Sequence, residues 1–227
     1  MPIINFTTCL LWLSYFISAT VTAATLTINV NDTQGNMLSD SVVELIPVSL
    51  PEVASPPTES TLAHYEMRQQ NRIFSPFVLA VPQGAKVDFP NLDRTRHHVY
   101  SFSTAKQFEL QLYVGATGDP ILFDKSGLVA IGCNIHDYMQ AFIYVSKSPY
   151  FSISNEVGQM QLTDLPAGEY QVNIWHPWQV NVQQPSSLTL QNGENQLTIS
   201  MDIERQDKPS APPSGFGTYH NVSDTTG

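Results

Sequence analysis

Two observations predict an all-β fold. Apolar residues recur with period two in separate stretches: Leu26, Ile28 and Val30; Phe108, Leu110 and Leu112; Tyr170, Val172 and Ile174; Leu197, Ile199, Met201 and Ile203. Turn-forming residues separate such stretches at short intervals, as NDTQGN does after Val30. Any helix is expected to be short. A period of two buries one face of each strand and leaves the other wet, which is the pattern of antiparallel sheets closed into a sandwich or barrel.

Taken in order, the chain opens with MPIINFTTCLLWLSYFISATVTA, apolar and without an acidic residue. Val21 and Ala23 stand correctly for a cut before Ala24, so residues 1–23 read as a secretory signal and the protein as exported to the periplasm. The competing reading is an uncleaved anchor, against which Ser14, Ser18 and Thr20 interrupt the run before it reaches ~20 residues. Cys9 leaves with this segment; Thr7 and Thr8 before it do not fit a lipoprotein signal. No other stretch is long and apolar enough to span a bilayer, so no membrane partner is expected after cleavage.

The strand at 26–30 is followed by a Pro/Ser-rich linker at 51–64, within PVSLPEVASPPTES and the residues after it. AHYEMRQQN (63–71) is compatible with an extended edge or a turn of helix. Val87 and Phe89 alternate against Lys86 and Asp88, and NLDRTR then turns the chain into His97 and His98. LVAI (128–131) and AFIYV (141–145) are strand material on either side of a short loop. Residues 205–227, rich in Pro, Gly and Ser, are expected to be disordered. There is no internal repeat. The 227 residues suffice for one or two domains. With 10 Lys+Arg against 20 Asp+Glu, the net charge of −10 argues against nucleic acid or an anionic membrane surface as partner.

Loss of Cys9 leaves Cys133 as the only thiol, in GCNIHDYMQAFIYV (132–145). A single cysteine in an exported chain is buried and inert, paired between chains, or occupied by a ligand. Cys133 is followed by His136 and Met139. Thiolate and neutral imidazole are strong copper donors, and a thioether is a weak, soft one. Structural zinc sites generally use four Cys/His ligands and no methionine. A trigonal copper site needs a second imidazole, which His97 or His98 can supply from a remote strand. By strand alternation the two point to opposite faces, so only one enters the site. A chance grouping of a buried Cys, a surface His and a core Met is the plain alternative.

At this point the sequence resembles a known family. FVLAVPQGAKVDFPNLDRTRHHVYSF followed by GLVAIGCNIHDYMQAFIYV resembles the cupredoxins, the blue-copper fold, and among them the cupredoxin-like methylamine utilisation proteins. The family places its first ligand in a His-Asn-Val stretch after an Asn-x-Asp turn; Asn91, Asp93, His97, His98 and Val99 match, with His98 where the family has Asn. The resemblance thus implies His97, Cys133, His136 and Met139 as ligands of one copper ion. It implies a Greek-key β-sandwich over residues 65–149. TLTINVNDTQGNMLSDSVVELIPV and GQMQLTDLPAGEYQVNIWHP resemble a carboxypeptidase-regulatory-like, transthyretin-type sandwich. A second, discontinuous β-sandwich from 24–50 and 150–204 is therefore expected, with Gly168 permitting its turn. The alternative is that 25–48 supply the first strands of the cupredoxin. His176 reads as a strand-end structural residue. Trp175 and Trp178 read as core or as a partner surface, and His64 and His220 as loop residues.

The function this implies is that of a type 1 copper protein carrying single electrons between Cu(I) and Cu(II), and not an enzyme, since four protein ligands leave no open position for a substrate. In the family, electrons commonly pass through the exposed edge of the loop histidine, here His136, with Ile135 and Tyr138 bordering the docking patch. The implied partner is a transient redox protein, a cytochrome or a dehydrogenase. Arg94, Arg96 and Lys106 are expected near the first ligand, where their field opposes the acidic whole. Two other readings stand: a periplasmic copper-handling or sensing protein without electron transfer, and a metal-free β-sandwich interaction module.

Overall fold

The computed structural model describes residues 23–48, 64–115 and 119–210. The expected signal up to its last residue, the linker up to His64, and the tail beyond residue 210 lie outside the described residues. Among those described there are seventeen strands and no helix. The chain enters through β1 (Ala24–Asp32) and β2 (Val42–Pro47). Five short strands follow: β3 (Tyr65–Glu66), β4 (Arg68–Gln70), β5 (Ile73–Ser75), β6 (Val78–Pro82) and β7 (Ala85–Asp88). Next come β8 (His97–Ser103), β9 (Lys106–Tyr113), β10 (Ile121–Phe123), β11 (Gly127–Gly132) and β12 (Gln140–Ser146). The last are β13 (Tyr150–Ile153), β14 (Gln159–Leu165), β15 (Gly168–Trp175), β16 (Ser186–Leu190) and β17 (Gly193–Met201).

Two cores organise these strands. The sheets β14-β1-β17 and β13-β2-β15-β16 enclose Leu26, Ile28, Val30, Val43, Leu45, Tyr170 and Val172. β1 alternates buried and half-buried residues along its whole length, as its sequence predicts. Its pairing with β17 is parallel, Ala24 opposite Gly193 through Asp32 opposite Met201, so the two ends of the described chain lie side by side. The sheets β6-β12-β11-β8-β9 and β10-β7-β3 enclose Phe89, Val99, Phe123, Val129, Ile143, Cys133 and Met139. Within the stretch 63–71, open between helix and extended edge in the sequence, the described residues 65–66 and 68–70 form β3 and β4.

One strand departs from its predicted phase. Period-two reading of 108–112 turns Leu112 inward, yet Leu112 is 47% exposed, while Tyr113 packs on the core. The cause is a β-bulge: His97 pairs with Tyr113 but Val99 with Leu110, so Gln111 and Leu112 together oppose His98. An extra residue on one strand inverts the facing of everything after it.

A third cluster joins the two sandwiches. β12 buries Ala141, Ile143 and Val145 in one core, while Phe142 and Tyr144 on its other face meet Val42 and Trp175. Trp175 lies 5.4 Å from the Phe142 ring, which places it between sandwiches. Glu44 of β2 sits in this seam, 3% exposed. Its Oε1 accepts from Ser146 Oγ (2.7 Å), Lys147 N (2.7 Å) and Ser148 N (3.1 Å). Its Oε2 accepts from Tyr144 Oη (3.2 Å) and Asn173 Nδ2 (3.1 Å). A buried carboxylate without a cation is tolerable only with such a full set of donors. Burial pushes its pKa up, but Ser146, Asn173 and the N–H groups of Ser148 and Lys147 outweigh that and hold it below the ordinary 4.5.

Residues 205–210 open the predicted tail. Arg205 pairs with Asp32 at 3.4 Å, and Lys208 pairs with Asp40 and, at 3.6 Å, with Glu156. His176, past the end of β15, is buried, contacts Ser39 O through Nε2 (3.1 Å) and accepts from Trp178 N at Nδ1 (3.1 Å). It is a structural residue of the kind its sequence position indicates.

Glu44→Gln should cost about 1–3 kcal/mol in urea unfolding at neutral pH, because an amide NH2 then faces backbone donors. Since the folded carboxyl titrates below its unfolded value, its contribution is complete above 4.5. It fades as pH falls further, so wild type and variant should converge in acid.

Candidate metal centre

His97 starts β8, Cys133 follows the last residue of β11, and the loop 134–139 leads into β12. β8 and β11 are neighbours in one sheet, with Tyr100 opposite Gly132. A Cβ on Gly132 would lie 3.0 Å from Tyr100 Oη and 3.1 Å from its Cζ, so the bare backbone there lets the ring pack down beside Cys133. The loop closes on itself: Met139 N donates to His136 O (2.9 Å) and Cys133 N to Met139 O (3.2 Å).

These constraints gather His97, Cys133 and His136, whose ligand atoms all lie within 4.8 Å of one another. Cys133 Sγ is 3.7 Å from His136 Nδ1. The His97 and His136 rings are 5.0 Å apart. Cys133 is buried and unpaired. Met139 is fully buried in the same core. His98 is not in this group. It points to the other side of β8, with Nε2 2.8 Å from Glu109 Oε1 and its ring 5.7 Å from Tyr100.

The turn before His97 is built by Asn91, buried at 2% exposure. Its Nδ2 donates to Thr95 O (2.9 Å) and Tyr113 O (2.7 Å), and its Oδ1 accepts from Asp93 N (2.9 Å). Asp93 then places a carboxylate oxygen 2.9 Å from His97 Nε2. Burial raises the Asp93 pKa, but the Arg72 N–H, His97 and the Asn71 N–H outweigh it and leave the group below the ordinary carboxylate range. Because a carboxylate can only accept, the His97 proton sits on Nε2. Nδ1 is therefore a bare lone pair, and it has no hydrogen-bond partner although buried. Leaving a buried acceptor unmatched costs about 1–3 kcal/mol. An orphaned imidazole nitrogen beside a thiol and a second imidazole fits a soft or borderline metal ion such as copper.

His136 is half-buried; burial, with His97 and Arg72 adding, pushes its pKa below the ordinary value against the pull of Asp93. That favours the neutral imidazole, the form that binds metals. Below the cluster, Tyr113 Oη donates to Phe89 O and accepts from Gln69 Nε2 at 2.7 Å. Burial raises the Tyr113 pKa to about 12, against the Gln69 hydrogen bond and with the Cys133 charge adding. Outward, Ile135 is 47% and Leu92 56% exposed, and Tyr138 lies 5.8 Å from the His136 ring.

The expected cations need one correction. Arg94 and Arg96 are exposed in the turn before His97. Lys106 is remote: it pairs with Ser103 at the opposite end of the β8–β9 ladder and is bound to Asp124 at 3.2 Å. Arg72, which the sequence did not single out, stands closer, at the tip of the β4–β5 hairpin. The sequence placed Asp93 in the Asn-x-Asp turn before His97 but assigned its carboxylate no role. Its spacing of four from His97 within a turn was the available signal.

Neither the protein-family models nor the curated proteins contain a match to this chain. Solved structures do. The purple cupredoxin of Nitrosopumilus maritimus is 20% identical over 36% of this chain and 99% of its own, with a TM-score of 0.33. The copper-containing nitrite reductase of Thermus scotoductus SA-01 is 25% identical, TM-score 0.34, over 44% of this chain but 25% of the reductase. A Cu(I) form of an amicyanin variant is 16% identical over 46% of this chain and 98% of its own, with a TM-score of 0.33.

Asn91→Ala removes three hydrogen bonds, two of them to the partly buried Tyr113 O and Asp93 N, and should destabilise the metal-free protein by about 2 kcal/mol, read by urea unfolding.

Proposed function

We propose that this chain is an exported, periplasmic blue-copper protein of the cupredoxin kind, akin to the methylamine utilisation proteins, carrying single electrons between redox proteins. The observation that carries the reading is the convergence of His97, Cys133 and His136 donor atoms within 4.8 Å, with His97 Nδ1 buried and unpartnered. His97 and His136 would hold the ion through ring nitrogens, Cys133 through its thiolate and Met139 through its weak, soft thioether. Bound there, copper supplies reversible one-electron chemistry. Zinc is disfavoured because its structural sites fill four positions with Cys and His.

The chain's own residues do the rest. His97, Cys133 and Met139 are buried, so water is kept from most of the donor set. His136 alone is part-exposed, which makes its outer edge the natural point of electron exit, bordered by Ile135 and Tyr138. A small apolar patch of this kind suits a brief encounter with a cytochrome or a dehydrogenase. With every donor position supplied by side chains, there is no place for a substrate, and we read the protein as a carrier, not an enzyme. The sandwich built from the two chain ends is read as a transthyretin-like module, separate from a cupredoxin unit spanning 65–149.

A visible spectrum of the copper-loaded, signal-free protein tests this. An intense blue thiolate-to-copper band, bleached reversibly by reductant, is expected. Cys133→Ser should abolish the band while leaving the fold intact. Met139→Leu should keep the copper and raise the reduction potential by removing the thioether donor. A colourless protein that takes up no copper would overturn the reading. Copper bound without reversible redox cycling would point to copper handling instead.

A further inference from the structure

The β4–β5 hairpin ends in Asn71 and Arg72, both left-handed at φ 57° and 59°. Gln70 pairs directly with Ile73, so these two residues are the whole loop, a turn of type I′ geometry. Their backbone N–H groups converge on one side chain: Asn71 N donates to Asp93 Oδ1 at 2.8 Å and Arg72 N to Asp93 Oδ2 at 2.9 Å. Asp93 Oδ2 also receives the His97 Nε2 proton at 2.9 Å. Asp93 is otherwise part of no ion pair with Lys or Arg among the described residues.

We infer that Asp93 is a positioning residue for His97: pinned by the two amides of the 71–72 turn, it fixes the ring and its proton so that Nδ1 faces Cys133 as a bare donor. The argument has three links. Without an acceptor at Nε2, neutral imidazole places its proton on either nitrogen, and the Nδ1–H form cannot bind a metal. A carboxylate on a surface turn would wander among rotamers, but two backbone donors hold both of its oxygens. The acceptor also keeps the ring from rotating about its Cβ–Cγ bond, so the donor nitrogen holds its direction. The hairpin thereby acts at the centre although none of its side chains enters the ligand cluster. This rests on the copper reading for the identity of the metal, and its first test does not.

The first test uses the metal-free protein at about pH 8, where an ordinary imidazole is neutral. Long-range proton–nitrogen correlation spectra should show wild-type His97 solely as the Nε2–H tautomer. Asp93→Ala should give a mixture of both tautomers, and Arg72→Pro, which removes one pinning N–H and with its fixed negative φ also dismantles the left-handed turn that aims the other, should move the spectrum the same way. Glu109→Gln removes the comparable carboxylate from His98 and should leave His97 unchanged. In the copper-loaded protein, Asp93→Ala should weaken copper binding about 10–100-fold and shift the potential upward, as loss of a nearby anion disfavours the more cationic ion. Wild-type His97 protonated on Nδ1, or an Asp93→Ala spectrum identical to wild type, would overturn the inference whether or not the protein binds copper. A wild-type protein that binds no copper sinks the proposed function, and the tautomer result still decides the role of Asp93.

Discussion

The pairing of Tyr100 with Gly132 across β8 and β11 is the constraint on which the centre depends. It sets the register between the strand that carries His97 and the strand that delivers Cys133. Because strand side chains alternate, a slip of one residue would turn His98 toward the thiol and His97 away. The register is held from both sides. On one, Gly132 offers no side chain against the Tyr100 ring. On the other, Asn91 and the His97–Tyr113 pair tie the start of β8 to the end of β9. The choice between two adjacent histidines is thus made by backbone pairing several residues away.

The protein's own hydrogen bonds hold the His97, Cys133 and His136 cluster together, and at a cost. His97 Nδ1 lies buried without a partner, a group that water would otherwise solvate. The surrounding hydrogen bonds offset that cost. Asn91 uses three of its four hydrogen-bonding positions, Asp93 accepts from three N–H groups, and Tyr113 bridges Phe89 and Gln69. An arrangement locked in this way leaves few motions for the donors. For the proposed electron carrier that is the useful property, because donors that do not move between oxidation states keep the barrier to each transfer low.

Much of this was legible in the residues. Alternation in 26–30 and 197–201 became two strands with the predicted faces inward, and the Cys-x-x-His spacing became a loop that brings thiol and imidazole together. What was not legible had non-local causes. Leu112 faces outward because a bulge opposite His98 shifts the phase of β9, and no local pattern marks a bulge whose origin is the partner strand. Glu44 looks like an ordinary solvent-facing residue in VVELIP, yet its five donors come from Tyr144 to Ser148 and from Asn173, all roughly a hundred residues or more away. The hairpin tip at Asn71 and Arg72 has no apolar period to announce it, and its importance appears only once Asp93 is placed beneath it.

The second sandwich bears on the centre through a single strand. β12 follows the 134–139 loop directly after Met139 and runs between the two hydrophobic layers, inward residues in one core and Phe142 and Tyr144 against Val42 and Trp175. A strand buried on one face can tilt into solvent; a strand buried on both cannot without opening a cavity. Glu44 reinforces the clamp at the far end of β12, where it binds Ser146 and the two N–H groups that follow. Packing of β2 and β15 therefore stiffens the strand from which the loop with Cys133 and His136 hangs. The physical contribution of the extra module is rigidity at the base of the loop, delivered through apolar contact and one buried anion, with no need for it to touch the donors.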